Sequence, residues 1–118
     1  MKKLKMLLVM MLAVSAVSFG QAKKAVQTVT IKTPTVQCES CKTRIENFVS
    51  REQGVSKVTV DYKRKTTKVT FVSDRTNIEN IKTSIANLGY DADDVAANKE
   101  SYNKLLTCCK KPEDGGGH

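Results

Sequence analysis

Apolar side chains recur along this chain with two different periods. From Val26 to Thr33 they partly alternate with polar ones, Val29 and Ile31 falling on one face, which is the two-residue period of a half-buried strand. From Glu39 or Ser40 the period lengthens. Cys41, Ile45, Phe48 and Val49 return every three or four positions, as on one face of a helix, until Gln53-Gly54, where Gly54 supplies a C-terminal stop. Val58, Val60 and Tyr62 alternate again as a second strand, Val69 and Phe71 mark a third, and Lys63-Arg64-Lys65 turns between them, so the two form a hairpin. Asp74 to Thr76 can cap a second helix with the stripe Ile78, Ile81, Ile85 and Leu88, ending at Gly89, and Tyr90 to Val95 offers a short fourth strand.

The predicted order is β-α-β-β-α-β, an α+β arrangement that folds as a ferredoxin-like sandwich with two helices on one face of an antiparallel sheet. Following the chain up and down through that topology brings three places to one end: the loop after the first strand, the Lys63 to Lys65 turn, and the Gly89-Tyr90 turn. Any site built from them sits at one pole of the molecule. Residues 26–95 make up this domain. Residues 96–118 form a C-terminal extension, helical or disordered, carrying Cys108-Cys109 and a Gly-rich tail in which His118 follows Gly115-Gly116-Gly117.

The N-terminus changes the setting. Met1-Lys2-Lys3-Leu4-Lys5 precedes an apolar run from Met6 to about Val17 and a small-residue stretch to Ala22, the pattern of a secretory signal peptide over residues 1–22. The run is shorter than the roughly 20 apolar residues a bilayer span needs, so stable membrane insertion after cleavage is not expected. Export implies a periplasmic or secreted protein of the bacterial envelope. Cutting after Ala22 leaves 96 of the 118 residues, enough for one small domain, and the formal charge of +8 falls to about +5 once Lys2, Lys3 and Lys5 are gone. That excess is mild and scattered, aromatics are few, and nucleic acid is not the expected partner.

Chemistry concentrates in Cys38-Glu39-Ser40-Cys41, two thiols three positions apart where the first strand hands over to the first helix. Cys41 should fall in the first helical turn and Cys38 in the loop before it, so that both sulfurs face one point. The unsatisfied N–H groups and partial positive charge of the helix start favour thiolate over thiol, the form that ligates metals or attacks disulfides. The arrangement can hold a soft-metal ion or a disulfide.

With those elements in place, the residues from about Val29 to Ala92 resemble the heavy-metal-associated domain of copper chaperones, metal-pump N-terminal modules and periplasmic mercury-binding proteins. The resemblance rests on Cys38-x-x-Cys41, Ile45-Glu46, Gly54-Val55-x-x-Val58-x-Val60, the strand around Val69 and Phe71, and Ile81 through Gly89-Tyr90. It implies that Cys38 and Cys41 are metal ligands and that Tyr90 is the aromatic beside the metal loop. Thr35 and Val36 stand where the family usually has Gly-Met, which removes the Met as a buried anchor of the loop. Two thiolates suit Cu(I), the first choice, and by the resemblance Hg(II). Zn(II), a further alternative, prefers four ligands and is left short by two. The implied function is binding of the ion and its passage or sequestration by thiolate exchange, with a metal-transporting ATPase or another thiolate-bearing acceptor as partner and no enzymatic step. In an oxidising envelope the two thiols can instead rest as a disulfide.

Two other classes share parts of the pattern. A thiol-disulfide oxidoreductase also places Cys-x-x-Cys at a helix start, but the resembling thioredoxin pattern has a Trp before the first Cys and this chain has no Trp. An RNA-recognition module shares the element order, but Lys68-Val69-Thr70-Phe71-Val72 lacks its paired aromatics. Lys63, Arg64 and Lys65 read either as a solvated turn or as a docking patch for an acidic partner. Cys108 and Cys109 are a further candidate pair of ligands. From about Asn98, Tyr102, Leu105 and Leu106 lie at helical spacing. A helix of about ten residues rises roughly 15 Å against about 20 Å for a six-residue strand, so a packed helix can return these thiols toward Cys38 and Cys41. A vicinal disulfide, an independent second metal-holding pair and simply exposed thiols stand as alternatives.

Overall fold

The structure, a computed structural model, describes residues 25–116. The expected signal peptide over residues 1–22 and the terminal His118 lie outside the described residues. Strands β1 (Val26–Lys32), β2 (Val55–Asp61) and β3 (Thr66–Val72) form one antiparallel sheet in the order β1-β3-β2. Helices α1 (Glu39–Val49) and α2 (Ile78–Asn87) share one hydrophobic core with it. Among the described residues no helix is long and apolar enough to cross a membrane.

The central strand explains the core. Val69 pairs with Val29 on one side and Val58 on the other, and Thr67 with Ile31 and Val60, so alternate residues of all three strands point to the helices. Ile31, Val60, Val69, Phe71, Ile45, Val49, Ile81 and Ile85 are buried there. Fully burying one such aliphatic side chain contributes about 1.5–3 kcal/mol. Thr67 is polar yet enclosed, and its hydroxyl is satisfied by that of Thr33 at 3.0 Å. The opposite face presents Thr28, Thr30, Thr59, Lys57, Lys68 and Thr70 to a shallow polar surface. Edge strand β2 is covered by α1: Val60 N–H donates to Glu46 Oε2 at 2.9 Å, and Lys42 Nζ donates to the Val60 carbonyl at 3.0 Å.

Four expected details change. The fourth strand contracts to a single bridge between Ala92 and Val95. Asp93 adopts φ 51° and replaces a ladder along β1 with two bonds, its N–H to the Lys32 carbonyl at 2.8 Å and its Oδ1 accepting from Lys32 N–H at 2.7 Å. Asp91, Asp93 and Asp94 favour turns over strands, and Lys82 Nζ, 3.0 Å from Asp94 and 3.7 Å from Asp93, ties the segment to α2. Phe48 leaves the predicted stripe: it is 50 % exposed, with the Arg44 guanidinium 5.5 Å from its ring centroid. α1 stops at Val49, about one turn before Gly54. Finally, α2 is capped by Asn77, whose Oδ1 accepts from Asn80 N–H at 2.9 Å, rather than by residues 74–76.

The three predicted places do meet at one pole. Thr33 N–H donates to the Lys65 carbonyl at 2.9 Å, and Asp91 N–H donates to Thr35 Oγ1 at 3.1 Å.

Candidate metal centre

The loop between β1 and α1 is fastened before it reaches its first thiol. Val36 is fully buried and takes the anchoring place in which a Met was missing. Thr35 holds Asp91, and Lys65 Nζ donates to the Val36 carbonyl. Lys65, read from sequence as part of a solvated turn or a docking patch, therefore braces the loop. Its contact spans 29 positions and carries no local sequence signal.

Cys38 is the residue just before α1, extended at φ −150°, and its side chain makes no capping bond. Its sulfur is thus free to face Cys41, which is fully buried in the first turn, and the two lie 3.4 Å apart. This is the placement the spacing predicted. Burial acts to raise the Cys38 pKa, but the Cys41 backbone N–H and then the thiols of Cys108, Cys41 and Cys109 outweigh it, leaving the group lowered to about 7.

The C-terminal extension returns to the same point. Its helix α3 (Lys99–Asn103) is capped by Asn98 Oδ1, which accepts from Ser101 N–H at 3.0 Å. It is half the expected length, and a single-turn 3-10 helix over Thr107–Cys109 completes the return. Leu105 is buried, whereas Leu106 is 67 % exposed, so only one of the two expected leucines seats the segment. Cys108 Sγ then lies 3.4 Å and Cys109 Sγ 3.8 Å from Cys38 Sγ, and the two C-terminal sulfurs are 4.0 Å apart. All four thiols are free. The sulfurs of Cys38, Cys108 and Cys109 lie within 4.8 Å of one another.

Tyr90 completes the site from beneath. It is fully buried, and its hydroxyl finds no hydrogen-bond partner among the described residues. Burial, and after it the neighbouring Cys41 and Cys109, push its pKa well above the ordinary value. An orphaned buried donor beside sulfurs fits a site meant to hold thiolates, which accept such a bond. Cys109 is pushed upward as well, first by burial and then by the Cys41 thiol. An open cleft lined by Gln37, Glu39, Ser40 and Tyr62 borders Cys38 and Cys108, and a second, lined by Thr43, Arg44, Phe48 and Leu106, borders Cys109.

Comparison with known proteins relates the domain that carries this site to a known family. The heavy-metal-associated domain is matched over residues 30–91. The mercuric transport protein periplasmic component of Salmonella typhi is 33 % identical over 66 residues, covering 56 % of this chain and 72 % of that protein. A copper-exporting P-type ATPase of Staphylococcus aureus is 31 % identical over 80 residues, 68 % of this chain and only 10 % of the ATPase. Among solved structures, oxidised MerP from Ralstonia metallidurans CH34 superposes with a TM-score of 0.56 at 32 % identity, covering 58 % of this chain and 96 % of its own. The solution structure of a Bacillus anthracis protein described as a putative copper-ion-binding protein gives a TM-score of 0.57 at 28 % identity, covering 60 % of this chain and all of its own. These neighbours share the ferredoxin-like α+β fold, and residues 96–116 lie beyond the matched domain.

Proposed function

This chain belongs to the heavy-metal-associated domain family, and from that premise we propose that it binds Cu(I) through Cys38 and Cys41 and passes or sequesters the ion by thiolate exchange. The observation that carries the reading is the meeting of these two sulfurs at 3.4 Å, one in the loop and one in the first turn of α1. Cu(I) accepts few, soft ligands, and thiolates supply them without further groups. Exchange proceeds through shared ligation with an acceptor's cysteines, such as those of a metal-transporting ATPase, and the open cleft bordering Cys38 and Cys108 is where an acceptor can approach. The basic and apolar N-terminal sequence supports a setting in the bacterial envelope, as a periplasmic or secreted carrier.

Hg(II) is the second reading, favoured by the 33 % identity to a mercuric transport protein. One experiment addresses both. The reduced protein is titrated anaerobically with Cu(I) and separately with Hg(II) in competition with a chelator of each ion, alongside Cys38→Ser and Cys41→Ser. Tight Cu(I) binding lost in each single variant is expected. Unchanged affinity in both variants overturns the reading, and selective retention of Hg(II) moves the cargo to mercury. Insulin-reduction activity without metal binding would instead place the protein among the thiol-disulfide oxidoreductases.

A further inference from the structure

The geometry points to a single soft-metal site of three or four thiolates, in which Cys108 and Cys109 join Cys38 and Cys41 and the C-terminal extension acts as an arm that retains the ion. This deepens the preceding reading and rests on it.

The first argument is spacing. With metal–sulfur bonds of about 2.3 Å, a two-coordinate linear ion separates its sulfurs by about 4.6 Å, a trigonal one by about 4.0 Å and a tetrahedral one by about 3.8 Å. The four recorded separations are 3.4 Å for Cys38 to Cys41, 3.4 Å for Cys38 to Cys108, 3.8 Å for Cys38 to Cys109 and 4.0 Å for Cys108 to Cys109. They lie on the trigonal and tetrahedral side of the linear value. Cys38 is the hub, within reach of all three other sulfurs; those of Cys38, Cys108 and Cys109 lie within 4.8 Å of one another, and Cys41, 3.4 Å from Cys38, must draw toward the arm to supply a fourth ligand.

The second argument is that the arm is seated rather than merely nearby. Asn98 N–H donates to the Ala86 carbonyl at 2.9 Å, at the last turn of α2. A Cβ on Gly89 would come within 3.0 Å of Tyr102 N and 3.1 Å of the Ser101 carbonyl, so α3 lies directly against the glycine that ends α2. Further on, Tyr102 donates its hydroxyl proton to Asp114 and accepts from Lys111 N–H at 2.9 Å, bracing the turn that carries the two cysteines from both sides. Leu105 and Cys109 are buried, and Cys108 packs against the core. Two loops thus approach the same point, one from each end of the domain sequence.

The consequence is kinetic as well as geometric. An acceptor offering two thiolates must displace the arm before it can take the ion, because a pair of ligands tethered to the same chain rebinds at high effective concentration. A bare Cys-x-x-Cys pair has no such competitor. The arm makes the protein a holder of its cargo until the arm is displaced.

The test uses the full reduced chain loaded anaerobically with one equivalent of Cu(I), and compares it with the Cys108→Ser/Cys109→Ser double variant and with Cys38→Ser. X-ray absorption of the unaltered protein should show three or more sulfurs around copper, a readout independent of whether any variant folds. The double variant should fall to two sulfurs and release Cu(I) to a competing chelator at least about tenfold more readily. Two-coordinate copper in the unaltered chain overturns the retaining arm, and so does wild-type retention in the double variant. Loss of binding in Cys38→Ser alongside either of those outcomes leaves the two-cysteine function standing. Absence of Cu(I) binding to the unaltered chain removes both readings.

Discussion

The hydroxyl of Tyr90 is sealed beside the sulfur of Cys41 and, among the described residues, has no hydrogen-bond partner. A buried donor left unmet costs about 1–3 kcal/mol, so removing it should relieve the metal-free protein. Tyr90→Phe is therefore expected to leave the stability of that form unchanged or to raise it by up to about that amount in urea denaturation. In the loaded form a thiolate beside the hydroxyl accepts a hydrogen bond from it, and the same variant should release Cu(I) several-fold more readily. Marked destabilisation of the metal-free protein would mean that the hydroxyl already has a partner.

A second expectation separates two positions on one helix. Ile45 is fully buried and Phe48 is half exposed under Arg44, although both follow the helical period. Ile45→Ala should cost about 2–5 kcal/mol by transfer and cavity terms. Phe48→Ala should cost no more than about 1 kcal/mol, the scale of a surface aromatic and its cation contact. Chemical denaturation of the metal-free forms checks the order, and a reversed ranking would show that Phe48 is core after all.

That contrast also marks what periodicity can and cannot tell. Alternation in Val58-x-Val60 and Val69-x-Phe71, and the stripe Ile81 and Ile85, were legible because burying one face of a regular element forces the pattern. Phe48 obeyed the same period but lies at the boundary of the stripe, where a shift of one position around the helix decides exposure. The thiols Cys38 and Cys41 were legible from spacing plus a helix start, since the geometry there is local. Lys65 bracing Val36 and Asp93 bonding Lys32 were not, because each joins segments far apart in sequence through contacts with no pattern of their own. Cys108 and Cys109 stood between the two cases: their chemistry was visible, but the path of α3 depended on Gly89 and Asn98 docking against α2.

Thiol reactivity should divide the cysteines by pH. Cys38 is lowered from 9.0 to about 7, whereas Cys109 is raised well above the ordinary value. In the metal-free reduced protein, alkylation at neutral pH followed by mass spectrometry should modify Cys38 first, with a rate that falls as pH drops below about 7, and should spare Cys109 until the protein unfolds. The linkage has a definite sign. A depressed folded-state pKa stabilises above the unfolded value and loses that contribution as pH falls through the folded one, so Cys38 adds stability to the metal-free form as pH rises from about 7 to 9.0. Cys109 acts oppositely: its contribution is full below the unfolded value of 9.0 and is lost progressively as pH rises from there through its own elevated one. Equal labelling of all four thiols at pH 7 would contradict the arrangement.

Gly89 gives the sharpest test of how the extension is seated. Its φ of 106° is one that residues with a Cβ rarely adopt, and an added methyl would press on the backbone of Ser101 and Tyr102 at 3.0–3.1 Å. Gly89→Ala therefore carries two penalties, about 1–3 kcal/mol of backbone strain and the displacement of α3 from the end of α2. The sheet, α1 and most of α2 do not rest on that contact, so far-UV circular dichroism should stay close to wild type. Limited proteolysis should now cut the segment after residue 96 faster, and Cys108 should alkylate more quickly because its place beside Cys38 depends on that docking. If protease sensitivity and Cys108 labelling both match the parent protein, the extension is held by Leu105 and Cys109 alone, and Gly89 serves only to end its helix.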